Sequence, residues 1–230
     1  MSIVVRFLRK ILHARISPGE PSLVLELPSL EIPTGSFAAV MGPSGCGKSL
    51  LMGIMAGIIP ADEGEIVLAD HALDLRQSAL NEAFRLRSIG ILLQGRNLLE
   101  SLTVFENVAL GLRFSRTYPR LQWRTRSMEM LARVGLAHLA REWPSRLSPA
   151  QRQKVSLARS LVHHPRVVLL DEPTARLDPA SAAQMIQLAI ETTREGGQTL
   201  VLFTDDPAIA GRFETRFDAS HLLVRSDFPS

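Results

Sequence analysis

The chain has 230 residues, of which 46% are hydrophobic, so it can bury the core of one α/β domain or of a core domain with a subdomain. Its net charge of +3 is too small to favour nucleic acid as a partner, and its lone cysteine, Cys46, excludes an internal disulfide and suits a reducing cytoplasm. No apolar run approaches the roughly 20 residues that span a bilayer, and charged residues interrupt the N-terminal stretch too often for a secretory signal.

The predicted elements alternate between strands and helices, with one long helical stretch in the middle of the chain. Residues 1 to about 40 are predicted to be β-rich, and an apolar helix is predicted over 50–56. Residues from about 95 to 150 are predicted to be mostly helical, with breaks at Pro119 and Pro144. The individual strands predicted from apolar runs are residues 37–41, 65–68, 167–170 and 199–204.

Residues 42–49 read Gly-Pro-Ser-Gly-Cys-Gly-Lys-Ser, which fits the phosphate-binding pattern Gly-x4-Gly-Lys-Ser/Thr at every fixed position. The glycines allow backbone N–H groups to surround phosphate oxygens, and the following helix adds the positive end of its dipole. Lys48 is expected to reach the β- and γ-phosphates, and Ser49 to bind Mg2+. The predicted nucleotide-binding residues here are Gly42, Pro43, Ser44, Gly45, Cys46, Gly47, Lys48, Ser49 and Leu50.

A second pair of candidate residues, Asp171 and Glu172, follows the apolar strand 167–170. A parallel sheet binds ligands at the carboxyl ends of its strands, where Asp171 could hold the Mg2+ that bridges the phosphates. Glu172 is then the natural general base, or the group that positions the water, for attack on the γ-phosphate. The alternative is that two adjacent acids merely end a strand, but the phosphate loop favours the catalytic interpretation.

Five landmarks in order make the sequence similar, over nearly its whole length, to the nucleotide-binding subunits of ATP-binding cassette (ABC) transporters. The segment 97–109 looks most like the branch that contains lipoprotein-release and macrolide-export ATPases. The landmarks are Gly42–Ser49, Gln94 after Ile89-Gly-Ile-Leu-Leu, Leu147-Ser-Pro-Ala-Gln151, Val167–Pro173 and Ala175-Arg-Leu-Asp178.

The resemblance implies an α/β fold of the P-loop NTPase class, with an ABC-type core, an N-terminal antiparallel β subdomain and an α-helical subdomain. Residues 1–230 are then one ABC ATPase domain. Its β-rich and core parts lie at about 1–94 and 160–230, and its helical subdomain lies at about 95–159.

The resemblance also implies a head-to-tail dimer that holds two ATP molecules at its interface. Each site combines the phosphate loop, Gln94, Asp171 and the catalytic Glu172 of one chain with the signature segment and Asp178 of the other. The implied magnesium ligands are Ser49, Gln94 and Asp171.

The implied partners are integral membrane permease subunits and a second ABC ATPase chain, on the cytoplasmic face of the cell membrane. In family members the loop after the glutamine contacts coupling helices of the membrane subunits. Leu98 and Leu99 are therefore expected either to line that groove or to belong to the core of the helical subdomain.

The signature segment departs from the family's usual Leu-Ser-Gly-Gly-Gln, because Pro149 and Ala150 replace the two glycines. Proline removes a backbone donor and alanine adds a Cβ, so we expect a weakened contact with the partner's γ-phosphate. Ser148 at the N-cap, Pro149 at the first helical position and Gln151 three residues after the cap also predict a well-capped helix. A purely structural cap without a phosphate role is the alternative.

Asp205 occupies the position at which family members usually carry a histidine that hydrogen-bonds the γ-phosphate. A charged carboxylate cannot donate a hydrogen bond, and the phosphate would repel it. Either Asp205 points away or the site hydrolyses ATP slowly. A third possibility is that Asp205 only caps the helix predicted around 208–212.

The stretch near Leu12 and His13 has no tyrosine on which adenine could stack, and only Phe7 or His13 could supply a ring. The resemblance still points to ATP as the nucleotide. Together with the two earlier departures, this favours either a heterodimer with a regular partner chain or a slow, regulatory homodimer.

The leading function is ATP-driven transport, or work on the cell envelope, through separate membrane subunits. The alternative is a cassette ATPase that acts as a nucleotide-dependent clamp or regulator without transport. Five arginines cluster with Tyr118 and Trp123 in the helical stretch, typical of a solvated face but also compatible with lipid headgroups or a partner. These arginines are Arg113, Arg116, Arg120, Arg124 and Arg126.

Overall fold

The computed structural model describes residues 3–12, 22–95 and 98–226, and the chain divides into two compact units. Unit 1 consists of Met1–Glu82 and Val201–Ser230, and unit 2 consists of Ala83–Leu200. His13 and Asn97 lie outside the described residues.

Strands and helices alternate along the described chain, as the sequence pattern predicts. The strands are β1 (Ile3–Leu12), β2 (Ser22–Ile32), β3 (Phe37–Met41), β4 (Glu63–Leu68), β5 (His71–Ala72), β6 (Ile89–Leu92), β7 (Val167–Asp171), β8 (Thr199–Thr204), β9 (Thr215–Asp218) and β10 (Leu223–Ser226). The helices are α1 (Lys48–Met55), α2 (Glu82–Ser88), α3 (Val104–Ser115), α4 (Trp123–Arg133), α5 (Pro149–Leu161), α6 (Pro179–Glu195) and α7 (Pro207–Ala210).

Unit 1 contains an antiparallel sheet with the strand order β10-β2-β1-β4-β5. Ile3, Val5 and Leu8 of β1 are buried, and the usual period of two slips by one residue between Val5 and Leu8. A β-bulge explains the slip, because the register with β4 shifts between Arg6 and Arg9. The bulge leaves Phe7 with a φ of 49° and a side chain that is 77% exposed.

Unit 1 also carries the strands that position the phosphate loop, in the order β8-β3-β9. β3 pairs with β9 in parallel, with Ala38 opposite Thr215 and Met41 opposite Asp218. The side chains of Ala38, Ala39 and Val40 are buried, so β3 presents its C-terminal end to the loop from within the core.

Unit 2 contains β6, β7 and the first residues of β8, in the order β6-β7-β8. β6 and β7 are parallel, with Ile89 opposite Val167 and Leu92 opposite Leu170. A Cβ on Gly90 would collide with the carbonyl oxygen of Ser160, so the end of α5 packs directly on this strand. Every residue of β7 is buried, as its apolar sequence predicts.

The predicted helical stretch is confirmed as α3, α4 and the start of α5, all within unit 2. The two predicted breaks coincide with short 3₁₀ turns: Arg120–Gln122 directly follows Pro119, and Pro144–Arg146 begins at Pro144. Among the described helices, none combines the length and the apolar character needed to cross a membrane.

Candidate functional site

The phosphate-loop sequence connects β3 to α1 in unit 1. The N–H of Gly42 donates to the carbonyl of Thr204 at the end of β8 (3.3 Å), and the N–H of Ala219 donates to the carbonyl of Met41 (2.6 Å). These bonds anchor the start of the loop to strands on both sides of β3. The loop is therefore held at the carboxyl edge of the parallel strands, where sheets of this class bind ligands.

The geometry of the loop explains why two of its positions, 42 and 47, are occupied by glycine. A Cβ on Gly42 would lie 2.8 Å from Sγ of Cys46 and 3.1 Å from the carbonyl carbon of Ala219. Gly47, the N-cap of α1, has a φ of 101°, which residues with a Cβ rarely adopt. In the described chain no side chain caps this helix, and Ser49 in its first turn is exposed.

Lys48 is buried although it is charged, with 5% of its surface exposed. Its ammonium group donates to the carbonyls of Gly42 (2.8 Å) and Pro43 (3.2 Å), so it bends back across the loop. The loop thus holds a positive charge above the N-terminus of α1, an arrangement that suits a polyanion.

Asp171 and Glu172 lie at the corresponding strand edge of unit 2. Asp171 is the last residue of β7, and Gln94 lies just beyond the end of the neighbouring β6. Asp171 is 2% exposed and Glu172 is 9% exposed, so both carboxyl groups are withdrawn from solvent. Glu172 also has a φ of 43°, an uncommon backbone conformation for a residue with a side chain.

A cavity of ≈ 630 Å³ in unit 2 brings together landmarks that are far apart in sequence. Gln94, Pro149 of the signature segment and Arg176 of the turn before Asp178 all line it. At its wall Arg152 forms an ion pair with Glu100 (3.2 Å). Leu98 is buried in the same cavity, whereas Leu99 is 50% exposed.

The signature segment begins α5 with the predicted capping box. Oγ of Ser148 accepts from the N–H of Gln151 (3.2 Å), and Oε1 of Gln151 accepts from the N–H of Ser148 (2.9 Å). Pro149 follows the cap as the first helical residue and is exposed. The prediction that substitution of the glycines leaves a well-formed helix N-terminus is therefore confirmed.

Asp178 also caps a helix, because its Oδ1 accepts from the N–H of Ser181 (3.0 Å) at the start of α6. The hydrogen bonds from Ser181 lower the pKa of the Asp178 carboxyl group. Asp178 is exposed, so its carboxylate is both fixed in direction and accessible.

Asp205 does not cap the helix that follows it, so this alternative from the sequence is wrong. Oδ1 of Asp206 accepts from the N–H groups of Ala208 (2.8 Å) and Ile209 (3.2 Å), and Asp206 is the N-cap of α7. Asp205 is exposed and directly follows Thr204, which is bonded to Gly42 of the phosphate loop. The structure thus places Asp205 beside the loop within unit 1.

Sequence reasoning missed two contributions to this region. Thr204 anchors Gly42 through its backbone carbonyl, and no side-chain pattern signals a backbone contact. Arg176, with a φ of 70°, lines the cavity next to the landmark Asp178, and its left-handed backbone has no signal in the sequence. Of the two candidate adenine-stacking rings, only Phe7 is described, on the bulge of β1.

Residues 25–175 match the family model described as ABC transporter. The chain is 42% identical to the aliphatic sulfonates import ATP-binding protein SsuB of Cupriavidus necator, over 80% of this chain and 56% of that protein. It is 37% identical to the methionine import ATP-binding protein MetN 1 of Acinetobacter baylyi, over 83% of this chain and 53% of that protein. The chain thus spans a little over half the length of these two relatives.

A relative of similar length is the lipoprotein-releasing system ATP-binding protein LolD of Treponema pallidum. It is 37% identical, and the match covers 82% of this chain and 83% of LolD. LolD belongs to the branch that the sequence resembles, and import ATPases stand beside it among the relatives.

Solved structures of similar fold include the dimeric ATP-binding cassette MJ0796, bound to ADP and Pi in a post-hydrolysis state. MJ0796 is 28% identical with a TM-score of 0.81, covering 98% of this chain and 94% of that one. CbiO1 of Clostridium perfringens, part of the ABC transporter complex CbiONQ, has a TM-score of 0.74 at 29% identity, covering 89% of this chain and 78% of that one. Because the family model matches more than half of the chain and the relatives agree with it in sequence and fold, this chain belongs to the ABC transporter family.

Proposed function

We propose that this chain is the ATP-binding subunit of an ABC transporter, and that it hydrolyses ATP slowly to drive transport or envelope work through separate membrane subunits. The observation that carries the proposal is the buried Lys48, whose ammonium group crosses the loop 42–47 at the N-terminus of α1. The ammonium group places a positive charge at the N-terminus of α1, where both the charge and the helix dipole attract an anion. A nucleoside triphosphate is the anion that this loop pattern serves.

The proposal assigns the phosphates of ATP to residues 42–49, with Leu50 next to them. Backbone N–H groups and Lys48 would bind the phosphate oxygens, and the dipole of α1 would add to their attraction. These residues orient the terminal phosphate for attack. Phe7 and His13 remain the candidate rings for adenine.

The proposed metal is Mg2+, with Ser49, Gln94 and Asp171 as its protein ligands. Hydroxyl, amide and carboxylate oxygens are hard donors of the kind that Mg2+ takes, and Mg2+ usually completes its coordination with waters and substrate phosphates. The buried carboxyl group of Asp171 is the strongest oxygen donor of the three. When bound, Mg2+ would neutralise charge on the phosphates.

Glu172 is the proposed general base for the attacking water. It is 9% exposed and directly follows Asp171 at the carboxyl end of β7, the edge at which a parallel sheet binds ligands. Its left-handed backbone directs it differently from the strand before it. Such an uncommon backbone conformation is concentrated at active sites.

The active form is proposed to be a head-to-tail dimer, in which Ser148, Pro149, Ala150 and Gln151 face the partner's ATP. The intact N-terminus of α5 supports an anion contact there, while Pro149 lacks one backbone donor. Asp178 caps the N-terminus of α6, and the family pattern places it at the same interface. MJ0796, a cassette of the same fold, is dimeric with ADP and Pi bound.

Slow turnover is proposed because Asp205 stands beside the phosphate loop, where the family usually carries a donor. In a homodimer both sites would share this residue and the altered signature. In a heterodimer each of the two sites would receive one of these departures. We propose one of these two assemblies, attached peripherally to permease subunits on the cytoplasmic face of the membrane.

The first test is the steady-state ATPase activity of the purified chain beside the Glu172→Gln variant. Loss of the general base is expected to lower kcat by about 100-fold or more while ATP binding is retained. Lys48→Ala is the matched control, because it should remove ATP binding itself. Analytical ultracentrifugation with and without ATP reports the dimer in the same samples.

ATP-dependent dimers with Glu172-dependent turnover would establish a self-sufficient homodimer. Tight ATP binding without dimers or turnover would point to a missing partner chain. If ATP binds neither the native chain nor Glu172→Gln, the proposed function is wrong.

A further inference from the structure

The corner between α3 and α4, residues 113–124, carries a positive charge that nothing in the described chain neutralises. Five arginines lie between Glu106 and Glu129, with no acidic residue among them. Arg113, Arg116, Arg120 and Arg124 are exposed. Among the described residues none of these four takes part in an ion pair, whereas Arg133, Arg146 and Arg152 of the same unit each do.

The fifth arginine, Arg126, differs because its guanidinium group packs against other residues of this region. The guanidinium of Arg126 lies 3.3 Å from the ring centroid of Tyr118, and its Nε donates to Oε1 of Gln122 (3.1 Å). Nε1 of Trp123 donates to the carbonyl of Tyr118 (3.0 Å). These contacts join residues on both sides of the turn between the two helices, and the exposed side chains project from that turn.

Two large apolar side chains are exposed in the same segment. Phe114, in the last turn of α3, is 57% exposed, and Leu121, in the 3₁₀ turn before α4, is 95% exposed. Leu112 and Ser115, on either side of Phe114 in the sequence, are buried, so the last turn of α3 packs against the rest of the unit while much of Phe114 stays exposed. Exposed arginines beside exposed Phe and Leu side chains are the composition of a surface that rests in a lipid headgroup layer.

We propose that the α3–α4 corner binds the surface of a bilayer that contains anionic lipids. The four arginines would pair with lipid phosphates, and Leu121 and Phe114 would enter the headgroup region. The exposed arginines on both sides of Leu121 complement the phosphates of a lipid headgroup layer, and the almost fully exposed Leu121 side chain can enter that layer. Phe114 also borders a groove of ≈ 250 Å³. This inference does not depend on the proposed ATPase function, since it needs neither nucleotide nor permease.

The test is cosedimentation of the full-length purified chain with vesicles of phosphatidylcholine alone, and with vesicles that also contain phosphatidylglycerol. Binding is expected only to the anionic vesicles and should weaken as salt rises. Each interfacial arginine is worth about fivefold in partitioning, so Arg120→Gln/Arg124→Gln should bind about 25-fold more weakly. Arg76→Gln/Arg141→Gln removes the same charge from exposed positions elsewhere and should bind like the native chain.

Leu121→Asn tests the apolar contribution and should weaken binding at high salt, where the charges are screened. Because Leu121 is 95% exposed, its replacement should leave the melting temperature unchanged. Equal binding of both arginine double variants would overturn the proposal, and so would binding to poly-glutamate without binding to vesicles. ATPase activity of the same variants in solution should equal that of the native chain, so a failure here is distinct from a failure of the proposed function.

Discussion

Asp205 follows the strand whose last residue, Thr204, accepts a hydrogen bond from Gly42 of the phosphate loop. Its side chain is exposed and takes no part in the cap of α7, which Asp206 provides. A carboxylate near the phosphate loop would repel a triphosphate bound there and would offer it no donor. Two substitutions at this position can therefore separate the repulsion from the missing hydrogen bond.

We predict that Asp205→His raises kcat for ATP hydrolysis by about tenfold or more, because a hydrogen bond to a charged group contributes roughly 1.5–3 kcal/mol. The measurement is the steady-state ATPase rate at saturating ATP and magnesium. Asp205→Asn is the matched control, since it removes the charge without supplying the longer donor, and its gain should be smaller. An unchanged rate in the histidine variant would show that Asp205 does not limit turnover.

Glu172 shows a second residue-scale feature, the backbone φ of 43° directly after β7. A residue with a side chain held in this region costs about 1 kcal/mol or more, which the surrounding structure must offset. The turn is closed by the N–H of Ala175, which donates to the carbonyl of Glu172 (3.1 Å). The fold thus stabilises this conformation locally, consistent with the catalytic role proposed for the residue.

The helices α3 and α5 of unit 2 both begin with a capping box. Comparing them separates the effect of a cap on stability from an effect on nucleotide-dependent dimerisation. α3 begins at Thr103, whose Oγ1 accepts from the N–H of Glu106, and α5 begins at Ser148, whose Oγ accepts from the N–H of Gln151. In both boxes the side chain three residues after the cap accepts a hydrogen bond from the backbone N–H of the cap residue. Only the second box belongs to the signature segment.

We predict that Ser148→Ala and Thr103→Ala each lower the free energy of unfolding by about 1 kcal/mol, the usual value of a helix cap. Chemical denaturation measures this loss. Only Ser148→Ala should also weaken ATP-dependent dimerisation, measured by analytical ultracentrifugation, because only α5 is proposed to face the partner's phosphate. If both variants dimerise like the native chain, the cap of α5 is structural alone.

At the scale of the whole molecule, one buried histidine links stability to pH. His163, just beyond α5, is 5% exposed and lines a groove of ≈ 250 Å³ together with Arg159 and Phe114. Burial lowers its pKa from 6.5 to about 4; the backbone of Ile89 partly opposes this shift, and the charge of His164 adds to it. The folded chain therefore keeps this imidazole neutral over a range in which the unfolded chain protonates it.

We predict that the folded state loses stability as the pH falls from 6.5 towards 4, because the unfolded state binds the extra proton in that window. The loss from this group reaches about 3 kcal/mol near the lower end and is absent above the upper end. His163→Gln should remove that part of the slope in denaturation curves measured across this pH range. His71→Gln, at an exposed position, should keep the native slope; equal slopes in all three proteins would contradict the assignment.

Much of the fold is predictable because its signals are local. The strands β3, β7 and β8 lie where the apolar runs place them, and α1 follows the phosphate-loop pattern. The capping box of α5 is also local, since all its hydrogen bonds join residues three apart. Patterns of this kind depend on backbone conformation and side-chain chemistry within one turn or strand.

Local patterns cannot tell which of two adjacent residues of the same chemical type makes a given contact. Asp205 and Asp206 are equivalent as caps in the sequence, and only the backbone path after β8 decides that Asp206 bonds to α7. The bulge at Phe7 is likewise invisible in sequence, because it depends on the register with β4. Among the arginines, only packing against Tyr118 separates Arg126 from its exposed neighbours.

The sequence alone therefore determined the phosphate loop, the buried strands, the order of landmarks and the family they indicate. The tertiary structure decided which of those landmarks meet: Gly42 with Thr204 in unit 1, and Gln94 with Pro149 and Arg176 around one cavity in unit 2. It also decided which charges remain in solvent. The reason is physical, since contacts between distant segments depend on how strands and helices pack, and packing is a property of the whole chain.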